Sequence, residues 1–223
     1  MTVNDANPLR VVVLISGSGS NLQALIDGVA AGNLPIEIVA VISNRPDVMG
    51  LSRAANAGIQ TLVLDHKGFS SREAFDQELM RAIDSYTPGL IVLAGFMRIL
   101  TPEFTQHYLG RMLNIHPSLL PKFQGLHTHQ RAIDAGETQH GVTVHFVTAE
   151  LDGGPAIVQA VVPIIKTDDA NLLAKRVQRQ EHVIYPLAVK WFAQGDLRMV
   201  DGKAELKGEL LPACGYQIEA SEP

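Results

Sequence analysis

Three features of the sequence predict an α/β fold, a mostly parallel twisted sheet flanked by helices. Strand-like and helix-like segments alternate along residues 10–195, the pattern of βαβ units. Val11–Ile15 is a short run with no polar residue, as expected of a buried strand, and it ends in the tight SGSGS loop. No repeat, low-complexity tract or long polar linker interrupts the alternation. One domain is therefore expected over residues 10–195, with a tail over 1–9 and a C-terminal hairpin and tail over 196–223 packed on the same domain.

Each element has its own signal. After the first strand, Leu22, Leu25, Ile26 and Val29 make one face of an amphipathic helix that Gly32-Asn33 stops. Ile36–Ile42 is the second strand, residues 49–57 a short helix ended by Gly58, and Thr61–Leu64 the third strand. Ser70 with Glu73 fits a capping box for a helix whose apolar face is Phe75, Leu79, Ile83 and Tyr86. Pro88-Gly89 ends that helix, and Leu90–Ala94 and Met112–Ile115 are strands four and five. Val142–Phe146 alternates apolar residues with Thr143 and His145, a strand with two different faces, and Ala156–Val162 is another strand. A long helix follows over residues 171–194, with Leu173, Val177, Ile184, Leu187 and Trp191 on one side and Pro186 expected to kink or split it. Asp201-Gly202 is a hairpin turn between Leu197–Val200 and Ala204–Leu206, and the final dozen residues are expected to be loosely held.

Composition removes several classes of function. Eighteen Lys and Arg against 23 Asp and Glu leave a net charge of −5, with no basic block, so neither nucleic acid nor an anionic membrane is an expected partner. The apolar runs are far below the roughly 18 residues a bilayer span needs. The N-terminal ten residues show no apolar stretch before a cleavage site, and a cytoplasmic location is expected. Cys214 is the one cysteine, which leaves no internal disulfide and no cysteine-rich metal cage.

The SGSGSN loop, residues 16–21, joins a strand directly to a helix. Its glycines allow close backbone approach, and the helix start offers free N–H groups and the positive end of the dipole, a place for phosphate. It is not a dinucleotide fingerprint, because Leu22 stands where a third glycine belongs and Ser43-Asn44-Arg45 offers no acidic residue after the second strand. It is neither a Walker A loop nor a nucleophile elbow. Two readings remain: a plain strand–helix turn, or a phosphate-monoester pocket made by Gly19, Ser20 and Asn21.

Asn114-Ile115-His116-Pro117 ends the fifth strand, and alternation points Asn114 and His116 to one side. An amide donor beside an imidazole suits chemistry in which negative charge develops on a carbonyl oxygen. Asp152, in Leu151-Asp152-Gly153-Gly154-Pro155, is a carboxylate that could orient or charge the imidazole. Each also has a structural explanation, as a satisfied polar pair and a common turn. His127-x-His129 lacks a third ligand at zinc-site spacing, and no metal is expected.

Four segments, Ile15–Asp27, Leu93–Thr101, Leu113–Gln124 and Gly141–Ala160, together resemble the glycinamide ribonucleotide formyltransferase family of folate-dependent enzymes. The Asn-Ile-His-Pro and Leu-Asp-Gly-Gly-Pro pieces mark the wider Rossmann-like formyltransferase fold, and the Ser-Gly-x-Gly-Ser-Asn loop narrows the resemblance to the ribonucleotide enzymes. The resemblance implies formyl transfer from 10-formyltetrahydrofolate, as co-substrate, to the amine of 5′-phosphoribosylglycinamide in purine biosynthesis. It implies that Gly19, Ser20 and Asn21 hold the phosphate and that Glu181 contacts the ribose and glycinamide. For the folate, it implies a pterin pocket lined by Met97, Arg98, Ile99 and Leu100. Thr148, Ala149, Glu150, Leu151 and Asp152 would close over the folate, Asn114 would also reach it, and Arg72 would meet its glutamate tail. Asn114, His116 and Asp152 take the catalytic positions: the amide and a charged imidazole stabilise a tetrahedral intermediate, and the carboxylate assists proton transfer. Gln124 is a departure, since relatives often carry proline there. The rival within the fold is a formyltetrahydrofolate hydrolase, which needs no ribose-phosphate cradle. Methionyl-tRNA formyltransferase would need a basic C-terminal domain, and a nucleotide-binding module would have no use for the Asn/His/Asp set. Either a monomer or a homodimer is compatible with the apolar patterning.

Overall fold

Alternate residues of the first strand face two different cores. In the computed structural model, which describes residues 7–220, β1 (Leu9–Ile15) buries Val11, Val13 and Ile15 in one apolar cluster and Val12 and Leu14 in another. A strand covered on both faces has no solvent side, which is why it reads as a continuous apolar run. The first six residues of the expected N-terminal tail and residues 221–223 lie outside the described part.

The chain continues through α1 (Ser20–Ala30), β2 (Ile36–Ser43), α2 (Met49–Asn56) and β3 (Thr61–Val63). A single 3-10 turn at His66–Gly68 leads to α3 (Arg72–Ser85), β4 (Leu90–Leu93), α4 (Pro102–His107) and β5 (Met112–His116). Then come α5 (Thr128–Asp134), β6 (Gln139–Phe146), β7 (Ala156–Pro163) and α6 (Ala170–Ala193). The described residues end with β8 (Leu197–Val200), β9 (Lys203–Leu206), β10 (Glu209–Leu210) and β11 (Tyr216–Glu219).

Eight strands form the main sheet in the order β11-β7-β6-β5-β4-β1-β2-β3, and β6 alone runs against its neighbours. From β1 the chain winds outward to β3, then crosses back to β4 on the other side of β1. That reversal opens a crevice outside the carboxyl ends of β1 and β4, where open α/β sheets place their ligands. Leu22 and Leu25 of α1, Ala54 of α2, and Leu173, Val177 and Ile184 of α6 cover one face. Phe75, Leu79 and Ile83 of α3 and Phe104 of α4 cover the other. β8, β9 and β10 form a small antiparallel sheet whose Leu197 and Ala204 join the cluster of α1 and α6.

Several expectations needed correction. The cap of α3 is Ser71, not Ser70: its hydroxyl accepts from Ala74 N, so the reciprocal Glu73 box does not form and Glu73 contributes only charge to the first turn. Pro186 does not split α6, which remains one helix of 24 residues. Ile184, Tyr185, Ala188 and Val189 on either side of the proline are buried, and the Tyr185 hydroxyl donates to the carbonyls of Leu93 and Leu113. Tertiary packing thus outweighs the one backbone bond that proline removes. The last dozen residues are not loose throughout, because β11 adds to the main sheet in parallel with β7, Tyr216 facing Val158 and Glu219 facing Val161.

Candidate active site

The turn between β1 and α1 is built for close approach. Gly19, the residue before the helix, has φ 71, and no side chain caps the first turn. A Cβ there would stand 2.7 Å from Gly50 Cα, so α2 lies directly against the loop, and Gly50 N donates to Gly17 O at 3.1 Å. With a glycine in the capping position, the N–H groups of Ser20 and Asn21 have no competing side-chain acceptor. Asn21 Nδ2 donates to Glu181 Oε2 at 2.8 Å, and Gln178 donates to the Ser20 hydroxyl at 3.2 Å, so α6 is joined to the start of α1. The Asn21 amide oxygen is buried without a partner among the described residues. Burial pushes the Glu181 carboxyl above its ordinary range, against the hydrogen bond from Asn21 and the charges of His182 and His116.

Asn114 and His116 share the face of β5 opposite Leu113 and Ile115, which belong to the α1–α6 core. His116 Nε2 lies 2.9 Å from the Phe123 carbonyl. A carbonyl only accepts, so this nitrogen carries a proton. Nδ1 lies 3.5 Å from Asp152 Oδ2, and the two side chains are only 8% and 9% exposed. Asp152 has φ 50, and its carboxylate also accepts from Gly125 N at 3.0 Å. The following Gly154 is pressed against the Phe146 carbonyl, where any Cβ would collide, which explains the second glycine of the Asp-Gly-Gly turn. Gln124 donates from its side chain to the Asp152 carbonyl at 3.3 Å, a contact proline could not make.

His145 is a site residue that the sequence did not single out. It is buried, faces Asn114 in the β5–β6 register, and lies with Nε2 at 3.2 Å from Asn114 Nδ2. Its Nδ1 is 2.9 Å from the Phe146 carbonyl and so carries the proton, leaving Nε2 to accept from the amide. Burial pulls its pKa down, which favours this neutral form over the opposing pull of the Phe146 carbonyl and the Asp152 charge. The orientation of the Asn114 amide follows, with one N–H used and a second free. The alternation of Val142–Phe146 was the available signal, since it puts His145 on the side of Thr143.

A cavity of about 120 Å³ opens beside these groups. Asn114 and His145 form its base, Arg98, Ile99 and Leu100 from the β4–α4 loop one wall, and Thr148 to Asp152 from the β6–β7 loop the other. Ile99 and Leu151 are more than half exposed here, an apolar lip suited to a flat ring, whereas Met97, expected to line this pocket, is exposed outside the lining. Met97 N donates to the Ser16 hydroxyl at 2.8 Å, so the β4–α4 loop and the glycine loop share one anchor. The Arg98 guanidinium lies 5.4 Å above the Phe75 ring, with Nε buried and unpartnered among the described residues. Arg72 sits outside the cavity lining, in the first turn of α3, 3.6 Å from Glu73. A larger apolar groove of about 920 Å³ between α1, α2 and β2 carries none of the catalytic candidates. His129 turns to His140, Nδ1 to Nε2 at 3.2 Å, and no group of three His, Cys, Asp or Glu side chains suited to a metal occurs among the described residues.

The family described as "Formyl transferase" matches residues 9–189. Phosphoribosylglycinamide formyltransferase of Escherichia coli (strain K12) is 55% identical over 95% of this chain and 100% of its own length. The enzyme of that name from Haemophilus influenzae is 50% identical over 94% and 99%. Among solved structures, phosphoribosylglycinamide formyltransferase from Coxiella burnetii superposes with a TM-score of 0.91 at 53% identity, covering 94% of this chain and 99% of that one. The match to the family runs through both loops that wall the cavity and through β5, so the chain belongs to the formyl transferase family.

Proposed function

We infer that this protein transfers the formyl group of 10-formyltetrahydrofolate to the amine of 5′-phosphoribosylglycinamide in purine biosynthesis; its relatives carry the name phosphoribosylglycinamide formyltransferase. The observation that carries the reading is the meeting of His116, Asp152 and Asn114 beside a cavity whose walls come from two loops. The apolar lip of Ile99 and Leu151 takes the pterin, with Arg98 and the backbone of Thr148 to Asp152 as polar partners. Ser20 and Asn21 present the first turn of α1 to the phosphate, and Glu181 meets the ribose and glycinamide. Arg72, exposed at the edge of α3, receives the glutamate tail.

The amine nitrogen attacks the formyl carbon, a C–N bond forms, and the carbonyl electron pair moves onto oxygen. The free N–H of Asn114 and the imidazole of His116 stabilise that oxygen, and losing one such donor typically costs about 2.7–4 kcal/mol of barrier. His116 donates to substrate by releasing one of the contacts it makes to Phe123 and Asp152. Collapse of the intermediate breaks the bond to the folate nitrogen, which takes up the proton the amine gives away, with Asp152 and a water as carriers.

His116→Ala is expected to lower kcat by ~10²-fold or more, the usual scale for a positioned acid. The measurement is a spectroscopic assay of formyl loss from the folate, with and without the ribonucleotide. Near-full turnover in the variant removes His116 from the mechanism, and formyl loss without the ribonucleotide favours the hydrolase instead.

A further inference from the structure

Residues 123–127, the last five before α5, touch two of the proposed reacting groups, and the side chains that hold them in turn include Arg131 of α5. Phe123 O accepts from His116 Nε2 at 2.9 Å, and Gly125 N donates to Asp152 Oδ2 at 3.0 Å. Three of the five residues 123–127, Phe123, Gly125 and His127, have left-handed φ of 55, 79 and 57, a path that two non-glycine residues take only under restraint. Part of the restraint comes from the Asp152 turn, to which Gln124 and Gly125 donate, and part from α5. Arg131 Nη1 donates to Gln124 O at 2.6 Å and to Leu126 O at 3.2 Å, and its guanidinium carbon lies 5.5 Å over the Phe123 ring. The Arg131 side chain is on the protein surface, yet these contacts turn it inward onto the loop.

We propose that Arg131 is a positioning residue for formyl transfer: its grip on 123–126 fixes both the carbonyl that sets the proton of His116 and the N–H that holds the Asp152 carboxylate. The proposal rests on the reading of His116 and Asp152 given above. The guanidinium reaches both carbonyls from Nη1 while its plane lies over the Phe123 ring, a stacking face that an ammonium lacks. With the guanidinium gone, the loop relaxes, the Phe123 carbonyl moves, and the His116 Nε2–H loses its fixed acceptor. A small displacement of the imidazole slows the chemical step more than it weakens substrate binding.

The test compares Arg131→Met and Arg131→Lys in the full chain, with His116→Ala measured alongside. Arg131→Met is expected to lower kcat roughly 10-fold, with KM for both substrates within about twofold. Arg131→Lys is expected to fall between Met and the parent. The His116 Nε2–H signals in ¹⁵N NMR report this hydrogen bond without any turnover: one bonded N–H in the parent, a shifted or broadened signal in Arg131→Met. If Arg131→Met does not fold, Arg131→Lys carries both readouts. Unchanged kcat with an unchanged His116 signal, while His116→Ala is inactive, overturns the role of Arg131 and leaves the site reading standing. Full turnover in His116→Ala overturns the site reading, and the proposal with it.

Discussion

Gly19 shows how much one residue can decide. Its positive φ strains any side chain there, and the 2.7 Å approach of a notional Cβ to Gly50 Cα excludes one. Gly19→Val should displace the first turn of α1 from α2 and with it the N–H groups proposed to hold the phosphate. The expected result is a KM for the ribonucleotide raised about tenfold or more, the loss of one charge-assisted hydrogen bond, with folate affinity almost untouched. Separate titrations of the two ligands check this, and a shift in the folate constant alone would refute the pocket. At this scale the sequence was informative wherever the signal was local. The parity of Asn114 and His116 follows from the two-residue period of a strand, and the glycine pattern announces the tight loop. His145 could not be read the same way, because its meaning depends on a partner 31 residues away. Arg131 could not either, since its acceptors are backbone carbonyls whose direction no residue type reveals.

The elements that the sequence left unread are short or join late. α4 has Thr101 capping Phe104 N, Pro102 in its first turn and Glu103 beside it, a complete start signal for a helix of only six residues. Residues 128–134 hold too few apolar positions to show a period, yet they form α5 and carry Arg131. β11 is the clearest case. Tyr216–Glu219 shows no strand alternation by burial, and it exists because the edge of β7 was open to pair. Gln217 also donates to Gln159, whose own amide reaches Leu120 O and the Thr143 hydroxyl. Deleting residues 213–223 should therefore expose that edge and lower the melting temperature by several degrees, at about 2–4 °C per kcal/mol for a chain of this size. The protein should also aggregate on warming, as light scattering would show. An unchanged melting curve would mean that β11 adds nothing to the sheet.

Across the whole molecule, buried histidines tie stability to pH. Burial pulls His140 down to about 4 from an ordinary 6.5, and it lowers His129 and His145 in the same direction. The unfolded chain takes up protons near 6.5 that the native chain refuses, so stability falls as pH drops from about 6.5 toward about 4. His140 alone accounts for about 3 kcal/mol of that loss. Asp76 and Glu181, raised chiefly by burial, act in the opposite sense and offset part of it at the acid end. Urea unfolding across this range should show the decline, and His140→Gln should flatten it; a level profile in the parent would contradict it.

What the sequence determined by itself was whatever repeats at short range: the α/β class, the two-sided strands, the glycine turn, and the shared face of Asn114 and His116. The tertiary structure alone decided the pairings. It brought Asn21 to Glu181 across 160 residues, set His145 behind Asn114, and closed the sheet with β11. The physical reason is that side-chain periodicity is a property of neighbouring residues. A hydrogen bond's geometry, by contrast, is fixed by strand register and helix docking, which depend on the whole packed core.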